Sequence, residues 1–270
     1  DLVRSRGLGD VYKRQAMAHI SVTIITYNEE HRIEACLKSL QDIADEIIVV
    51  DSFSTDRTVE ICNAYGCKVT QRRFPGYGAQ RQYATSLTSY SYVLSIDADE
   101  VLSPALRSSL IKLKEEGFAH RVYEMSRLNF YCGQPVKHCG WYPDIQIRLF
   151  DKRYANWNLR DLSERVIFPD SLKPVLLDGD ILHYRCSTPD EYRKVQNRHA
   201  ALSSGIIKAR RSSVPFFTPY IKGVKAFLEC YISKGAILDG PEGRAISRES
   251  YRTAYMAYDL ARRSLRKKQQ

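Results

Sequence analysis

The sequence has no long apolar run, and none of its runs reaches the roughly 18–20 residues that a helix needs to span a bilayer. It also has no apolar signal segment followed by a small-residue cleavage site. No G-x-G-x-x-G follows the first predicted strand and no G-x-x-x-x-G-K-[ST] is present, which disfavours a dinucleotide-binding fold and a P-loop. The seven cysteines form no C-x-x-C pair and no zinc-ligand spacing, so we expect reduced thiols in a cytoplasmic protein.

Length and composition suit one large α/β domain or one domain with an appendage, at 270 residues and 44 % hydrophobic content. Residues 1–16 show no sustained hydrophobic period, and we interpret them as an appendage that is excluded from the fold. The net charge of +10 is uneven, because residues 185–270 carry 18 Lys/Arg and seven Asp/Glu, against 19 and 22 in residues 17–184. The basic final third predicts a surface that faces phosphate, in lipid or nucleic acid, or a merely solvated basic surface.

From Ile20 onward, apolar strand patterns alternate with amphipathic helical patterns. Strands are predicted over residues 20–26, 46–50 and 92–96, with a helical segment after each. This alternation predicts a parallel sheet, and ligands bind such sheets at the carboxyl ends of the strands. Three polar residues occupy those predicted ends, namely Thr26, Asp51 and Asp97.

Capping residues predict where helices begin. Asn28 is expected to cap the first helix, and Ser54 or Thr55 the second. Ser103 before a proline, and Thr188 before a proline and two acidic residues, predict the starts of two later helices.

Asp97 and Asp99 follow the strand predicted over residues 92–96. Because side chains alternate along a strand, both carboxylates are expected to point to the same side. They repel each other unless a cation or a donor-rich ligand lies between them. Oxygen ligands with open positions suit Mg²⁺ or Mn²⁺ bound together with a diphosphate, whereas the alternative is a solvated acidic turn.

The region after Gly117 changes to strands and loops, and then to helices. Its aromatic turn, residues 140–144, could stack on a sugar face or pack within a hairpin. Residues 185–270 predict a basic amphipathic helical extension with aromatic stripes. Such helices can lie in an anionic bilayer interface, or pack on the sheet domain or on each other.

Three motifs together resemble family 2 inverting glycosyltransferases of the GT-A fold: Thr26-Tyr-Asn-Glu-Glu30, Val49-Val-Asp-Ser-Phe-Ser-Thr-Asp-Arg-Thr58 and Asp97-Ala-Asp-Glu100. Later motifs are similar to the lipopolysaccharide-core β-1,4-glucosyltransferase group, namely residues 141–150, Ser163-Glu164, residues 181–184 and residues 234–240. The resemblance covers roughly residues 19–260. It implies a GT-A-type, Rossmann-like central mixed sheet flanked by helices over residues 17–184, with the helical extension at residues 185–270.

The resemblance also implies a UDP-sugar donor, held by Thr26, Tyr27, Asn28, Glu29, Asp51, Arg81, Asp97 and Ala98. Asp51 would reach the uracil or ribose, and Arg81 would neutralise the nucleotide or diphosphate. Asp99 would bind a Mg²⁺ or Mn²⁺ ion that bridges the phosphates, with Asp97 nearby. His183 is a possible further ligand to the metal or diphosphate, the alternative being a buried strand histidine.

Two carboxylates, Glu164 and Asp144, are candidates for the general base that takes the proton of the acceptor hydroxyl. We favour Glu164, because the family often has His-Glu at this position, although Ser163 replaces the histidine here. Phe53 stands where the family usually has glycine. Either candidate could instead be the ordinary partner of an arginine, namely Arg148, Arg160 or Arg165.

The reaction implied by the resemblance is inverting transfer of a hexose to a heptose of the lipopolysaccharide or lipooligosaccharide core. Glucose is the expected hexose. The expected partners are the UDP-sugar, the lipid-linked core acceptor and the anionic cytoplasmic face of the inner membrane, where the basic helices would hold the enzyme. Transfer to a polyprenyl phosphate or another glycan is the alternative within the same class. A non-catalytic binder of nucleotide or nucleic acid is disfavoured, because the aromatic residues follow helical stripes that suit packing rather than base stacking.

Overall fold

The computed structural model describes residues 18–159 and 164–267, and these form two compact units. The first unit contains the described residues up to Ser126 together with Ile145–Ile181. The second contains Arg127–Asp144 together with the residues from Leu182 onward. The predicted appendage, residues 1–16, lies outside the described residues.

The described residues form eleven strands: β1 Ile20–Thr26, β2 Glu46–Asp51, β3 Lys68–Gln71, β4 Tyr92–Asp97, β5 Glu100–Leu102, β6 Val122–Tyr131, β7 Gln134–Val136, β8 Asp144–Asp151, β9 Asn156–Trp157, β10 Val166–Ile167 and β11 Val175–Cys186. They also form seven α-helices: α1 Ile33–Ser39, α2 Thr58–Ala64, α3 Tyr77–Ser86, α4 Pro104–Glu116, α5 Pro189–Arg210, α6 Thr218–Leu228 and α7 Gly240–Lys267. A π-helical turn, Glu229–Ser233, continues α6, and a 3₁₀ turn, Ala236–Asp239, precedes α7.

The main sheet has the strand order β3-β2-β1-β4-β8-β6-β11-β5, with β7 added on β6. Strands β1 to β4 pair in parallel, whereas β8 pairs antiparallel with β4. Apolar side chains of β1 and β4 are completely buried in the core with those of α1 and α4, as expected for parallel strands covered on both faces. The predicted mixed α/β sheet flanked by helices is therefore confirmed.

Two of the predicted helix caps are present. The Ser103 hydroxyl accepts from the backbone N–H of Leu106, and the Thr188 hydroxyl accepts from that of Glu191. The other two cap predictions are wrong: α1 and α2 begin after Arg32 and Arg57, and neither has a side-chain cap. The residues predicted to cap them, Asn28 and Ser54 or Thr55, bind instead to each other's loops, as described below.

In the second unit, α7 packs against both α5 and α6, and this arrangement confirms the predicted C-terminal helical extension. Gly223 of α6 allows this helix to approach α7 closely, because a Cβ atom at that position would lie only 2.8 Å from the ring of Tyr251 on α7. Within the described residues, α5 and α6 make few contacts with each other. No helix in the described ranges combines the length and the apolar character needed to cross a membrane.

One face of α6 and its π-helical continuation exposes a row of apolar side chains. Their accessibilities lie between 46 % and 69 %, and we call them the α6 stripe: Phe217, Ile221, Val224, Leu228 and Ile232. The spacing of three or four residues puts all five on one side of the helix. A continuous exposed apolar row of this kind is typical of an interaction surface.

Candidate active site

Strand register brings three predicted site residues to neighbouring positions at one edge of the sheet. Thr26 at the end of β1 pairs with Asp51 at the end of β2, and Ile25 pairs with Asp97 at the end of β4. The strand order places β1 between β2 and β4. The polar ends of all three strands therefore lie together at the same edge of the sheet, as the alternation of strands and helices predicts.

The loops after β1 and β2 are joined by hydrogen bonds. The backbone N–H groups of residues 28–30 donate in turn to Ser54 Oγ (2.8 Å), Thr58 Oγ1 (2.8 Å) and Asp56 Oδ2 (3.1 Å). In return, Asn28 Oδ1 accepts from the backbone N–H of Thr55 (2.8 Å). Asn28 has a positive φ of 55°, which an asparagine tolerates better than most residues and which aims these groups at the second loop. We call this pair of loops the loop clasp.

Asp51 lies at the base of the loop clasp and is completely buried. One carboxylate oxygen accepts from the backbone N–H of Ser54 (2.9 Å) and from the Gln71 side chain (3.2 Å), while the other accepts from the Ser54 hydroxyl. Such bonds satisfy a buried carboxylate and fix the loop that leaves β2. A direct contact of Asp51 with uracil or ribose stays a prediction, as do donor contacts by Tyr27, which is 57 % exposed, and by Glu29.

Phe53, in the same loop, has a φ of +63° and is 48 % exposed. A bulky L-residue in the left-handed region is strained, and glycine removes that strain while losing more entropy on folding. We therefore expect Phe53→Gly to raise the free energy of unfolding by up to about 1 kcal/mol in urea denaturation. Phe53→Ala is the control, since it removes the ring but keeps a Cβ atom; an equal gain with alanine would contradict this explanation.

Asp97 binds two arginines. Arg81 of α3 contacts both carboxylate oxygens, at 2.8 and 3.0 Å, and Arg148 of β8 contacts Oδ2 at 3.2 Å. Arg148 also donates to Glu100 Oε1 at 2.8 Å, and the other oxygen of Glu100 accepts from the backbone N–H of Asp97 at 2.9 Å. Both arginines and Glu100 are buried. Two carboxylates and two guanidinium groups thus form one network at the end of β4.

This network changes the interpretation of Arg81 and Asp97. The Arg81 guanidinium is 6 % exposed, pairs with Asp97 and lies 4.9 Å from the centre of the Trp157 ring. Asp97 is therefore neutralised by protein groups, and Arg81 acts first as a positioning residue. A direct contact of Arg81 with a diphosphate, and the contact of buried Ala98 with the donor, remain predictions.

No role for Glu100 is expected from the sequence, and Arg148 is expected there only as a partner of Glu164 or Asp144. Arg148 in fact pairs with Asp97 and Glu100. The available signal was the position of Arg148 within the apolar run of β8, where a lone charge on a buried strand requires an opposite charge.

The two candidate bases lie in different surroundings. Asp144 is held by Arg127, whose Nε and Nη2 donate to the same oxygen at 2.8 and 2.6 Å. The Asp144 carboxylate is therefore already engaged by a cation of the protein itself. Glu164 is half-buried in the first unit, and Ser163 before it lies outside the described residues.

A cavity of about 420 Å³ lies beside Glu164 along the chain. Arg165 lines it, together with Glu124, Gln146 and Asp170. Trp157 belongs to the same lining and is also the ring beneath Arg81. Trp157 therefore connects the Asp97 network with a cavity of the first unit that has both polar and apolar walls.

His183, the predicted further ligand, belongs to the second unit. Its Nδ1 lies 2.7 Å from Asn129 Oδ1, and the Asn129 amide donates to the backbone carbonyl of Trp141 at 2.9 Å. Both metal-ligating histidines and histidines packed in a core commonly have their ring oriented by a hydrogen bond to a second residue. Its role as a ligand stays a prediction.

The family model for glycosyl transferase family 2 matches residues 21–161, just over half of the chain. The chain belongs to this family. An uncharacterized glycosyltransferase of Rickettsia typhi is 35 % identical over 62 % of this chain and 61 % of its own length, so the match spans about three fifths of that relative. A lipopolysaccharide core biosynthesis glycosyltransferase of Rhizobium meliloti is 28 % identical over 68 % of this chain and 70 % of its own.

Among solved structures, the glucosyl-3-phosphoglycerate synthase of Mycobacterium tuberculosis, in complex with Mn²⁺, UDP and glucosyl-3-phosphoglycerate, is 30 % identical to this family 2 chain. That match covers 43 % of this chain and 45 % of the synthase, with a TM-score of 0.35. The predicted mixed sheet, flanking helices and long C-terminal helix are confirmed for this family member.

The carboxylates of this family 2 site fit a divalent cation only if the donor supplies further ligands. Within residues 18–159 and 164–267, no three His, Cys, Asp or Glu side chains form a ready-made cation site. Mg²⁺, however, usually takes one or two carboxylates from the protein and the rest from water and phosphate. The assignment of Asp99, together with Asp97, as such a donor set stays a prediction, and Asp97 already pairs with Arg81 and Arg148.

Proposed function

We propose that the protein is an inverting glycosyltransferase that moves a hexose, glucose in the first instance, from a UDP-sugar to a heptose of a lipid-linked lipopolysaccharide or lipooligosaccharide core. The observation that carries this proposal is the convergence of Thr26, Asp51 and Asp97 at three neighbouring strand ends, followed by Asp99. Similarity to the Rhizobium meliloti core glycosyltransferase supports this acceptor class. The later motifs, from Trp141 to Gly240, support it as well.

The loop clasp and the Asp97 network provide a rigid cradle for the donor. The loop clasp fixes the backbone after β1 and β2, while Arg81 and Arg148 fix the end of β4. Preorganised groups lower the barrier because they need not reorient as charge develops. A bound Mg²⁺ or Mn²⁺ ion, held by Asp99 with Asp97, would supply positive charge for the departing diphosphate.

The acceptor hydroxyl must lose its proton while it attacks the anomeric carbon from the face opposite to UDP. We assign the proton to a carboxylate oxygen of Glu164, because Asp144 is already paired with Arg127. The bond to UDP breaks as the bond to the acceptor oxygen forms, so the anomeric configuration inverts. The cavity next to Glu164 is the proposed location of the acceptor sugar.

The direct test follows UDP release from UDP-glucose with Mg²⁺ or Mn²⁺ and a heptose-terminated core acceptor. We expect acceptor-dependent release that EDTA abolishes. Asp99→Asn should lower the rate by about 10²-fold or more, because the developing charge loses its main counter-charge. The control Asp190→Asn changes an aspartate whose side chain is 83 % exposed and should leave the rate unchanged. Failure of every sugar nucleotide with the wild type would overturn the proposal.

We also propose that the second unit binds the anionic cytoplasmic face of the inner membrane through the α6 stripe. Basic side chains accompany the stripe, among them Lys222 and Lys225 on α6 itself. Apolar side chains that insert at the headgroup boundary, with cations beside them, are typical of interfacial helices.

Ile221→Asp is expected to weaken binding to anionic liposomes by about tenfold or more, since it replaces an inserted apolar side chain by a charge. The measurement is flotation with phosphatidylglycerol-containing liposomes at increasing salt. Leu159→Asp is the matched control, because Leu159 has the same 64 % exposure but lies in the first unit. Equal loss in both variants, or binding indifferent to salt and lipid charge, would count against the α6 stripe.

A further inference from the structure

A long groove lies between α5 and α6, with α7 as its floor, and all its lining residues belong to the second unit. It encloses about 850 Å³, within the range of ligand-binding pockets. The α5 side chains that line it recur every three or four residues, so the groove extends for about 27 Å along the helix. They are Tyr192, Gln196, His199, Ser203, Ile206 and Arg210.

The half of the groove nearer the start of α5 is polar and positively charged. Arg185 lies against the Trp141 ring, with its guanidinium carbon 5.0 Å from the ring centre. Loss of hydration and the positive charges of Arg185 and Arg198 lower the pKa of His199. This part of the groove therefore carries a positive potential that disfavours a second cation and favours an anion.

Negative charge in the groove is already compensated. In the described structure, Glu229 is the one carboxylate that lines the groove, and it lies 3.0 Å from Lys234 Nζ. Both side chains of this ion pair are about half exposed, so the pair is worth little in stability. The remaining cations, Arg185, Arg210 and Arg211, leave the lining with a net positive charge.

The other half of the groove combines apolar side chains with two cations at its end, Arg210 and Arg211. Its lining includes Ile206 and Ile207 from α5, with Tyr258 from α7. Ile206 is itself 48 % exposed. The short connection from α5 to α6 then exposes Phe216 (57 %) and Phe217 (69 %), the latter being the first residue of the α6 stripe.

We propose that this groove binds the phosphate-bearing headgroup of a membrane lipid, with the phosphate between Arg185 and His199 and the first acyl carbons along Ile206. About 10 Å of helix separates the last two residues, enough to hold a headgroup between phosphate and acyl chain. A free phosphate would leave the apolar side chains of Ile206, Ile207 and Tyr258 without a ligand to contact. The inference rests on the proposed transfer to a lipid-linked acceptor, of which this lipid would be the membrane-anchored part.

The test uses calorimetric titration of the full chain with dihexanoyl phosphatidic acid below its micelle concentration. We expect saturable binding of one lipid per chain, and a Kd at least about tenfold weaker for Arg185→Gln, which loses a charge-assisted hydrogen bond. The matched control is Lys194→Gln, an exposed cation on α5 outside the groove, which should bind like the wild type. Inorganic phosphate should bind at least about tenfold more weakly than the lipid, because it lacks the apolar part.

A second readout avoids dependence on one variant. In proton NMR, the pKa of His199 should rise when the lipid binds, since an anion stabilises the imidazolium. Equal affinity for lipid and phosphate, equal losses in Arg185→Gln and Lys194→Gln, or an unchanged His199 pKa would each overturn the proposal. Asp99→Asn should lose transfer activity but keep its affinity for the lipid. If the wild type binds the lipid but transfers no sugar, only the proposed function is overturned. If it transfers sugar but does not bind the lipid, only the proposal for the groove is overturned.

Discussion

Glu164→Gln should reduce the rate of glycosyl transfer by about 10²- to 10⁴-fold, the contribution of a positioned general base. Glutamine keeps the size of the side chain but cannot accept the proton, so binding of UDP-sugar should change little. The measurement is steady-state UDP release, with kcat and KM determined separately for donor and acceptor. A fall in kcat at constant donor KM identifies a group that acts in the transition state.

The comparison variant is Asp144→Asn, which removes the other candidate carboxylate. We expect it to retain most of its turnover but to lose stability, because the charged hydrogen bonds between Arg127 and Asp144 are weakened. If Asp144→Asn abolishes transfer and Glu164→Gln leaves turnover near normal, the assignment of the two residues is reversed. Circular dichroism of both variants separates loss of chemistry from loss of fold.

Arg148→Met should lower the free energy of unfolding by about 3–5 kcal/mol, the usual cost of removing one partner from a buried ion pair. Arg148 is 2 % exposed and contacts Asp97 and Glu100. Without it, the completely buried Glu100 loses the cation 2.8 Å away, whereas Asp97 keeps Arg81. Urea denaturation followed by circular dichroism measures the change.

Two further variants show whether charge is the cause. Arg57→Gln breaks an ion pair with Glu60 in which both side chains are about two-thirds exposed, and should leave the free energy of unfolding almost unchanged. Arg148→Met combined with Glu100→Gln should recover part of the loss, since the buried negative charge that Arg148 contacts is removed as well. A double variant less stable than Arg148→Met alone would mean that packing, not charge, explains the effect.

The strands of the first unit could be predicted because their signals are local. Apolar β-branched runs specified β1, β2 and β4, and their alternation with helices specified the parallel order. The caps Ser103 and Thr188 are also local, since each binds an N–H three residues further on. In contrast, β11 was predicted only near residues 181–184, because its earlier half alternates with charged and glycine residues.

Long-range pairing could not be predicted from local patterns. Asn28 has the composition of a helix cap, but its side chain binds Thr55, 27 residues away. Arg148 contacts Asp97 across 51 residues of sequence, and the pattern of β8 gives no partner. The assignments of donor, metal and base residues remain predictions, since geometry of the protein alone does not identify what occupies the site.

The loop clasp has a consequence for engineering. Backbone N–H groups of residues 28–30 are satisfied by side chains from residues 54–58, so neither loop keeps its conformation if the other is replaced. We expect a chimaera that imports only one of these loops from another glycosyltransferase to lose stability, and a chimaera that imports both to keep it. Donor preference should therefore be transferable between such enzymes as a two-segment cassette, and not as single substitutions.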